Sequence, residues 1–313
     1  MNAAHRHRIC VAYRDVDRTP LLYAIRELAS QHEALDVELR QVADGEVYER
    51  DFLGGELDLI CEHLRFLFPA RLAGHPVRCL AACQNQSGDR LLARDGIQAP
   101  AELHGGRVAV RATQSSRISG EYWLRQLGLA DSVQVVVVAD EDVGRWQQWR
   151  KVVSGEADAV ICSPLYGGRA IAAGLHPLGV PPFKEIGSLF FAALGPFVER
   201  NGDALLRFMR SLYRALHAFN HERDAALRIV AGEPARLMGL HPGAELERRF
   251  DRLRENLSER PLPDLEALST TIAMLDEGYA PLAGLNPLSM WDLRFVIQLE
   301  EQRFMQELVT VSL

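Results

Sequence analysis

Short apolar segments of strand length alternate with amphipathic segments of helix length from the start of the chain. The first strand-like segments span residues 9–13, 36–40, 58–61 and 77–83. The spacing of apolar residues over 21–31 predicts a helix between the first two strands. Alternation of this kind is typical of a largely parallel α/β sheet with helices packed against it.

A second series of alternating segments begins after the strand-like residues 90–94 and a loop over 95–106. Strands are predicted at residues 107–111, 133–139 and 157–162, and helices at 118–127 and 143–154. Three prolines within 177–183 indicate a crossing of the chain rather than a regular element. A further strand at 189–194 then leads into a long helical region over 203–230. The pattern therefore predicts two sets of strands, as two compact units would require.

One short segment occurs twice. Gly-Glu-Leu-Asp-Leu-Ile-Cys at 55–61 recurs as Gly-Glu-Ala-Asp-Ala-Val-Ile-Cys at 155–162. In each copy a glycine ends a helix, because glycine adopts the left-handed backbone conformation at little cost, and a strand follows. A polar residue then opens the next loop, Glu62 and His63 in one copy and Ser163 in the other. Unless this short junction has recurred by chance, it predicts two related lobes whose polar strand ends face a ligand cleft.

Composition excludes several classes of function. The 42 acidic residues outnumber the 35 Lys and Arg, and no basic run interleaves with aromatic residues, so nucleic acid is not expected as a partner. Apolar runs are far shorter than the ~20 residues of a membrane span, so no membrane insertion is expected. The polar first residues lack the apolar core of a signal peptide, which predicts a cytoplasmic protein, or a periplasmic one if the natural start differs.

The cysteines show no spacing typical of a metal site or a disulfide framework, so we expect small core residues and no metal or other cofactor. They are Cys10, Cys61, Cys79, Cys83 and Cys162.

The order of the elements, together with Ala101-Glu-Leu-His-Gly-Gly-Arg-Val-Ala-Val110, resembles substrate-binding proteins of the sulfonate, nitrate and thiamine-precursor type. The similarity covers roughly residues 9–219 and continues weakly at 287–292. It implies a type II periplasmic-binding-protein fold, in which two lobes joined by two crossovers close on a ligand. Carried onto this chain, lobe I comprises residues 1–88 and 185–313, with the C-terminal helices, and lobe II comprises residues 89–184.

Cytosolic enzymes share this fold, and the start of the chain is similar to one group of them. Val11-Ala-Tyr-Arg-Asp-Val-Asp-Arg-Thr-Pro-Leu21, followed by Glu46-Val-Tyr-Glu-Arg50, resembles the dihydroxyphthalate decarboxylase family. That short match implies a cofactor-independent lyase. An aryl-sulfinate desulfinase of related fold would place its nucleophilic cysteine after the first strand, where this chain has Tyr13 and Arg14.

The best candidate for an anion site in lobe II is Arg111-Ala-Thr-Gln-Ser-Ser-Arg117, a segment that lies between a strand and a helix. Backbone N–H groups at the helix start, together with the side chains of Thr113, Gln114, Ser115 and Ser116, could hold a carboxylate, sulfonate or phosphate. Arg117 could add a bidentate contact. An ordinary helix cap with a solvated Arg117 would explain the same residues.

Arg14, Asp15 and Thr19 follow the first strand, where lobe I would contact a ligand. Arg14 could pair with an acidic group, while Asp15 or Asp17 could orient a hydroxyl or hold Arg14 in place. A solvated loop ahead of Pro20 explains these residues equally well.

Glu62 and His63 form the acid–base pair whose position favours the cleft. A histidine titrates near neutral pH, and a neighbouring carboxylate could fix its tautomer or supply a proton to a carbanion. Adjacent strand residues point in opposite directions, so only a loop conformation would let both act. A helix start with Glu62 near the helix dipole is the alternative.

Other candidates lie at the ends of two further strands. Gln84 and Gln86 follow the strand at 77–83, and Ser163 and Tyr166 follow the repeated strand of lobe II. These residues could donate hydrogen bonds to a ligand or stack on it. The remaining aromatic residues of lobe II recur at helical spacing and are predicted to be core or interface: Tyr122, Trp123, Trp146 and Trp149.

These features favour a small-molecule-binding protein that recognises an anionic or aromatic organic acid by hinge closure. Such a protein would supply its ligand to an ABC transporter permease or a sensor. The alternative is a cytosolic lyase of the same fold, such as an aromatic-acid decarboxylase, in which Glu62 and His63 handle the proton. A structural protein would lack charged groups such as Arg14, Arg117 and His63 at the cleft.

Overall fold

The computed structural model describes residues 7–64, 67–278 and 286–310, without the side chains of residues 114, 115, 164, 165, 276–278 and 287. The chain divides into two compact units. The first unit comprises Met1–Asn85, Ile186–Leu268 and Gly284–Leu313, and the second comprises Gln86–Glu185 and Ser269–Ala283. Each unit contains one five-stranded sheet, so the protein is a two-lobed α/β protein as the order of elements predicts.

The sheet of the first unit has the order β2-β1-β3-β10-β4. Its strands are β1 (His7–Tyr13), β2 (Leu35–Gln41), β3 (Leu59–Glu62), β4 (Val77–Ala82) and β10 (Phe190–Leu194). β1 pairs parallel with β2 and β3, while β10 runs antiparallel between β3 and β4. Residues 9–13 of β1 are all buried, because the central strand of such a sheet is covered on both faces.

Helices cover the sheet of the first unit. Leu21 and Ile25 of α1 pack in one apolar core with Phe208 and Leu212 of α9 and with Phe191 of β10. The helices are α1 (Thr19–His32), α2 (Gly45–Leu53), α3 (Leu67–Leu72), α8 (Gly195–Arg200), α9 (Gly202–His221), α10 (Arg223–Val230), α11 (Glu233–Leu237), α12 (Ala244–Asn256), α14 (Arg294–Glu301) and α15 (Phe304–Thr310). A further helix, α13 (Leu265–Gly278), begins in the first unit and continues in the second.

The sheet of the second unit has the order β7-β6-β8-β5-β9. Its strands are β5 (Arg90–Ala93), β6 (Arg107–Arg111), β7 (Gln134–Val138), β8 (Ala159–Cys162) and β9 (His176–Pro177). β6 pairs parallel with β7 and β8, and β5 runs antiparallel to β8. The helices of this unit are α4 (Gln114–Gln126), α5 (Asp140–Val143), α6 (Arg150–Val153) and α7 (Pro164–Ala172).

The repeated segment of the sequence has the same role in both sheets. Gly55 and Gly155 both have positive φ, 82° and 78°, which lets the chain leave a helical turn and enter β3 or β8. The aspartate three residues after each glycine accepts a hydrogen bond from a backbone N–H of the central strand. Asp58 accepts from the N–H of Cys10 on β1 and Asp158 accepts from the N–H of Arg107 on β6, each at 2.8 Å. The two copies therefore hold the same pair of parallel strands together in each unit.

Three features differ from the sequence-based expectation. Each sheet is mixed, because β10 in the first unit and β5 in the second are antiparallel to their neighbours. The helix predicted at 143–154 is replaced by two one-turn helices, α5 and α6, with a turn between them. The helical region 203–230 is interrupted at Glu222, where the backbone leaves helical geometry between α9 and α10.

All five cysteines are buried free thiols, as predicted for small core residues. No helix in the described part of the chain is both long and apolar enough to cross a membrane.

We expect Asp158→Ala to lower the free energy of unfolding by about 1–3 kcal/mol at neutral pH, because the backbone N–H of Arg107 loses its acceptor. Burial acts to raise the pKa of Asp158, but hydrogen bonds from the Arg107 backbone and the Arg94 side chain hold it below its usual value. Because the pKa of Asp158 is lower in the folded protein than in the unfolded chain, its carboxylate stabilises the fold fully above pH ~4, and this stabilisation is lost as the pH falls further. The difference between the two proteins should therefore shrink in acid.

Urea unfolding of the wild type and of Asp158→Ala, from neutral pH to below pH ~4, measures the difference in unfolding free energy. Asp36→Ala on β2 is the matched control, since Asp36 is exposed. Equal unfolding free energies for the wild type and Asp158→Ala at neutral pH would contradict the assignment.

Candidate functional site

Polar side chains of the second unit collect where its three parallel strands end. Parallel neighbours must all end at one edge of a sheet, and ligands of α/β proteins bind at that edge. Arg111 is the last residue of β6, Asp140 comes two residues after β7, and Ser163 directly follows β8. We call this the carboxyl edge of the second unit.

Arg111 is fixed at this edge from two sides. Its Nε donates a hydrogen bond of 2.8 Å to Oδ1 of Asp140, and its Nη2 donates to Oδ2 of the same carboxylate. The hydrogen bonds from Arg111 hold the pKa of Asp140 below its usual value. The guanidinium carbon of Arg111 also lies 3.9 Å from the ring centre of Trp146. Arg111 is only 9% exposed, so its charge has a single well-defined position.

Trp146 lies in the turn between α5 and α6 and not on the face of a helix, which differs from the helix predicted at 143–154. Its φ is 63°, a left-handed conformation that costs a bulky residue roughly 1–2 kcal/mol. The Trp146 backbone N–H donates to Oδ1 of Asp140 at 3.3 Å. The Trp146 ring lies parallel to that of Tyr166, with centroids 6.1 Å apart and 10° between the planes. We call this pair of rings the aromatic shelf.

The start of α4 lies three residues beyond Arg111. Thr113 precedes the helix, but its hydroxyl donates to Oγ of Ser116 at 2.8 Å and does not cap the helix. Gln114 and Ser115 begin the helix, and their side chains lie outside the described set. Arg117 is 52% exposed and lies 3.7 Å from Glu121, one turn along α4. The Arg117 side chain is therefore exposed to solvent, as in the alternative of an ordinary helix start, and Arg111 is the arginine fixed at the carboxyl edge.

Ser163 and Tyr166 follow β8, as predicted. The Ser163 carbonyl accepts from the N–H of Tyr166 at 3.1 Å and of Gly167 at 2.9 Å, which begins α7. Ser163 Oγ is shielded from solvent and has no hydrogen-bond partner among the described residues. Its hydroxyl therefore retains hydrogen-bonding capacity at the carboxyl edge.

In the first unit, β1 and β3 end beside a buried ion pair. Arg18 Nη2 donates to Oε1 of Glu62 at 2.9 Å, and the two residues are 2% and 4% exposed. Oε1 of Glu62 also accepts the backbone N–H of His63 at 2.9 Å. Glu62 is the last residue of β3 and not part of a loop, and its carboxylate is bound to an arginine that the sequence did not single out. His63 is half-buried beside it.

Several polar atoms of this group have no hydrogen-bond partner among the described residues: Nε and Nη1 of Arg18, Oε2 of Glu62, and Oδ1 of Asp17. Burial raises the pKa of the Asp17 carboxyl, although the neighbouring Arg18 acts to lower it. Native proteins leave few shielded polar atoms unpaired, so this set indicates a place where another molecule can bind.

The other predicted residues of the first unit lie around this pair. The Arg14 guanidinium packs against Gly45, where a Cβ would lie 3.3 Å from Nη2, so a larger residue would crowd it. Oδ2 of Asp15 lies 4.0 Å from Nη2 of Arg18. The hydroxyl of Thr19 is buried and donates to the carbonyl of Val16 at 2.5 Å, closing the turn that leads into α1.

Gln84 and Gln86 follow β4 but belong to different units. Oε1 of Gln84 accepts the backbone N–H of Leu189 at 3.4 Å, which links the end of β4 to the start of β10. Gln86 is half-buried in the second unit. Gln84 thus has a connection within the first unit that the sequence did not reveal.

Sequence reasoning missed three residues of these two groups: Arg18, Asp140 and Trp146. Arg111 begins the predicted anion segment but was given no role of its own, and Asp140 could have been found because it directly follows the strand predicted at 133–139. Nothing in the residue pattern marks the left-handed turn at Trp146. No group of three or more His, Cys, Asp or Glu in the described ranges is arranged to hold a metal ion.

Comparisons with known proteins identify the fold. The model of the family described as NMT1/THI5 like matches residues 19–226. The periplasmic sulfonate-binding protein SsuA of Methylobacillus flagellatus KT is 16% identical, with a TM-score of 0.71 and 96% of each chain covered. The alkanesulfonate-binding protein SsuA of Xanthomonas axonopodis pv. citri, bound to MOPS, is 16% identical with a TM-score of 0.63, covering 93% of this chain and 100% of that one.

A mutant of DSZB in complex with biphenyl-2-sulfinic acid is also 16% identical, with a TM-score of 0.66, covering 95% of this chain and 99% of that one. At these identities the likeness establishes the fold alone, and it confirms the predicted type II periplasmic-binding-protein-like architecture. No match was found among curated protein sequences.

We expect Asp140→Asn to lower the free energy of unfolding by about 1–2 kcal/mol at neutral pH, because Arg111 then keeps its buried charge without the opposing carboxylate. The depressed pKa of Asp140 means that its contribution is complete above pH ~4 and disappears at lower pH. Thermal unfolding followed by circular dichroism at several pH values measures this.

Asp142→Asn is the control, since Asp142 lies exposed two residues away on the same short helix α5. A loss for Asp142→Asn as large as for Asp140→Asn would show that the Arg111 pair is not the cause.

Proposed function

Because the chain belongs to the NMT1/THI5-like family, we propose that it binds a small organic anion, with a preference for one that carries an aromatic ring. The carboxyl edge of the second unit is the proposed anion site. The structural relatives named above include sulfonate-binding proteins, which supports a role as the substrate-binding component of an importer.

The observation that carries this proposal is the fixed position of Arg111 beside the start of α4. The bond to Asp140 uses Nε and Nη2 of the guanidinium, which leaves Nη1 for a further acceptor. The first backbone N–H groups of α4 point toward the same edge and carry the positive end of the helix dipole. The Thr113 side chain does not accept a hydrogen bond from these N–H groups. Guanidinium and helix start together favour an anionic group.

The aromatic shelf supports the preference for a ring. The rings of Trp146 and Tyr166 are parallel and Trp146 contacts Arg111, so the pair places apolar ring surface beside the proposed anion site. The left-handed conformation of Trp146 has an energetic cost, and such strain is typical of positions where a side chain is held for binding. A planar ring with a carboxylate or sulfonate group matches both features.

A thermal-shift screen against acetate, methanesulfonate, benzoate and benzenesulfonate tests the proposal, followed by titration calorimetry. We expect the aromatic anions to raise the melting temperature more than the aliphatic ones do. Arg111→Gln should weaken binding about tenfold or more, because a charge-assisted hydrogen bond contributes roughly 1.5–3 kcal/mol.

Arg125→Gln is the matched control, since Arg125 is an exposed arginine near the end of α4. Loss of binding in Arg117→Gln with retention in Arg111→Gln would move the anion site to the residue that the sequence alone favours. The absence of any shift in the wild-type protein would refute the proposal.

A carboxy-lyase is the second candidate, and one observation favours it. Burial raises the pKa of Asp17, so this carboxyl holds a proton to higher pH than an ordinary aspartate, as a group that protonates a carbanion must. Mass spectrometry of each stabilising ligand after incubation separates the two functions. An intact ligand supports binding alone, and release of carbon dioxide supports the lyase.

A further inference from the structure

The Arg18–Glu62 pair in the first unit has unused donors and an unused acceptor next to each other. The pair is joined by one hydrogen bond of 2.9 Å, from Nη2 of Arg18 to Oε1 of Glu62. Nε and Nη1 of Arg18 and Oε2 of Glu62 remain shielded from solvent and unpaired among the described residues. Both side chains are more than nine-tenths buried. A buried group that could donate and accept further hydrogen bonds, and does neither, is an incomplete network.

Charge decides what could complete this network. Arg18 and Glu62 cancel each other, and Oδ2 of Asp15 lies a further 4.0 Å from Arg18. Glu62 and Asp15 already balance the charges of Arg18 and of Arg14, which lies near the pair, so an anion placed here would be an uncompensated buried charge, which is unfavourable. An uncharged group adds hydrogen bonds without changing the charge. The pair therefore favours a neutral polar group over an anion.

The pair lies just beneath the surface of its unit. Asp15, which contacts Arg18, and His63, whose N–H binds Glu62, are both partly exposed. Movement of these side chains would bring a small molecule within reach of Arg18 and Glu62.

We propose that Arg18 and Glu62 form a recognition site for an uncharged polar group that accepts a hydrogen bond from Arg18 and donates one to Oε2 of Glu62. A primary amide or a hydroxyl has this chemistry. This site is formed by residues of the first unit, whereas the anion site proposed at Arg111 is formed by residues of the second unit.

Titration calorimetry with two matched probes tests this site. Benzamide can donate and accept, whereas N,N-dimethylbenzamide can only accept. We expect the wild-type protein to bind benzamide at least about tenfold more tightly than the dimethyl compound, because the latter leaves Oε2 of Glu62 unpaired. Equal affinities, or no binding of benzamide, would overturn the proposal.

The double variant Arg18→Met/Glu62→Leu removes the polar pair with little change in volume. We expect it to fold, since apolar replacement of a buried ion pair is often neutral or stabilising, and to lose the benzamide response. Arg223→Met/Asp251→Leu is the control, because that pair bonds at 2.9 and 3.0 Å between α10 and α12 of the same unit. Unchanged benzamide binding in the folded Arg18 and Glu62 variant would instead assign the pair to structure alone.

Should the double variant not fold, Glu62→Gln serves in its place. Its amide keeps the shape of the side chain but can present a donor where the ligand needs an acceptor, so benzamide affinity should fall about tenfold. Unchanged affinity in a folded Glu62→Gln protein would contradict the proposal. Arg111→Gln should leave benzamide binding intact and weaken benzoate binding about tenfold or more, so failure of one site can be told from failure of the other.

Discussion

The parallel pairing of one central strand with two neighbours, β1 in the first unit and β6 in the second, determines where the chemistry of this protein can lie. Parallel strands all end at the same edge, so whatever follows them is brought together. The carboxylates of Asp58 and Asp158 hold this pairing in each unit, since each accepts a backbone N–H of the central strand at 2.8 Å. Both are part of the repeated segment, which explains why the repeat preserves Gly and Asp while the strand residues vary.

The same scaffold produces two chemically different edges. In the second unit, Arg111 is bound by a partly exposed aspartate and lies over an aromatic ring, and its remaining donor Nη1 is supported by the positive end of the helix dipole at the start of α4. In the first unit, Arg18 is buried and its charge is cancelled by the equally buried Glu62. An arginine in the first setting favours an anion, whereas an arginine in the second can only offer hydrogen bonds. Residue type alone would have assigned the two arginines the same role.

The sequence predicted the strands well, because burial of apolar residues in a sheet depends on local pattern. It predicted the partners of charged residues poorly. Arg18 and Glu62 are 44 positions apart, and Arg111 and Asp140 are 29 apart, so their pairing exists only after the parallel strands have formed. Arg117 drew attention because it stands next to Thr113 and Ser116, yet its nearest acid is Glu121 on the same helix. The grouping of residues 269–283 with the second unit likewise depends on contacts that no local pattern records.

The turn at Trp146 is held by contacts at the carboxyl edge of the second unit, and the sequence pattern does not show these contacts. A regular helix over 143–154 would bury the apolar residues there, and the spacing of the two tryptophans is compatible with it. The helix ends at Gly144, whose φ is 91°; Asp140 Oδ1 then accepts the Trp146 N–H, and the same carboxylate binds Arg111. One side chain after β7 thus fixes both the backbone of the turn and the position of the arginine. The cost of a left-handed tryptophan is offset by its contacts with Arg111 and Tyr166, which exist only at this edge. Its conformation therefore depends on contacts made at this edge as well as on the end of the helix at Gly144.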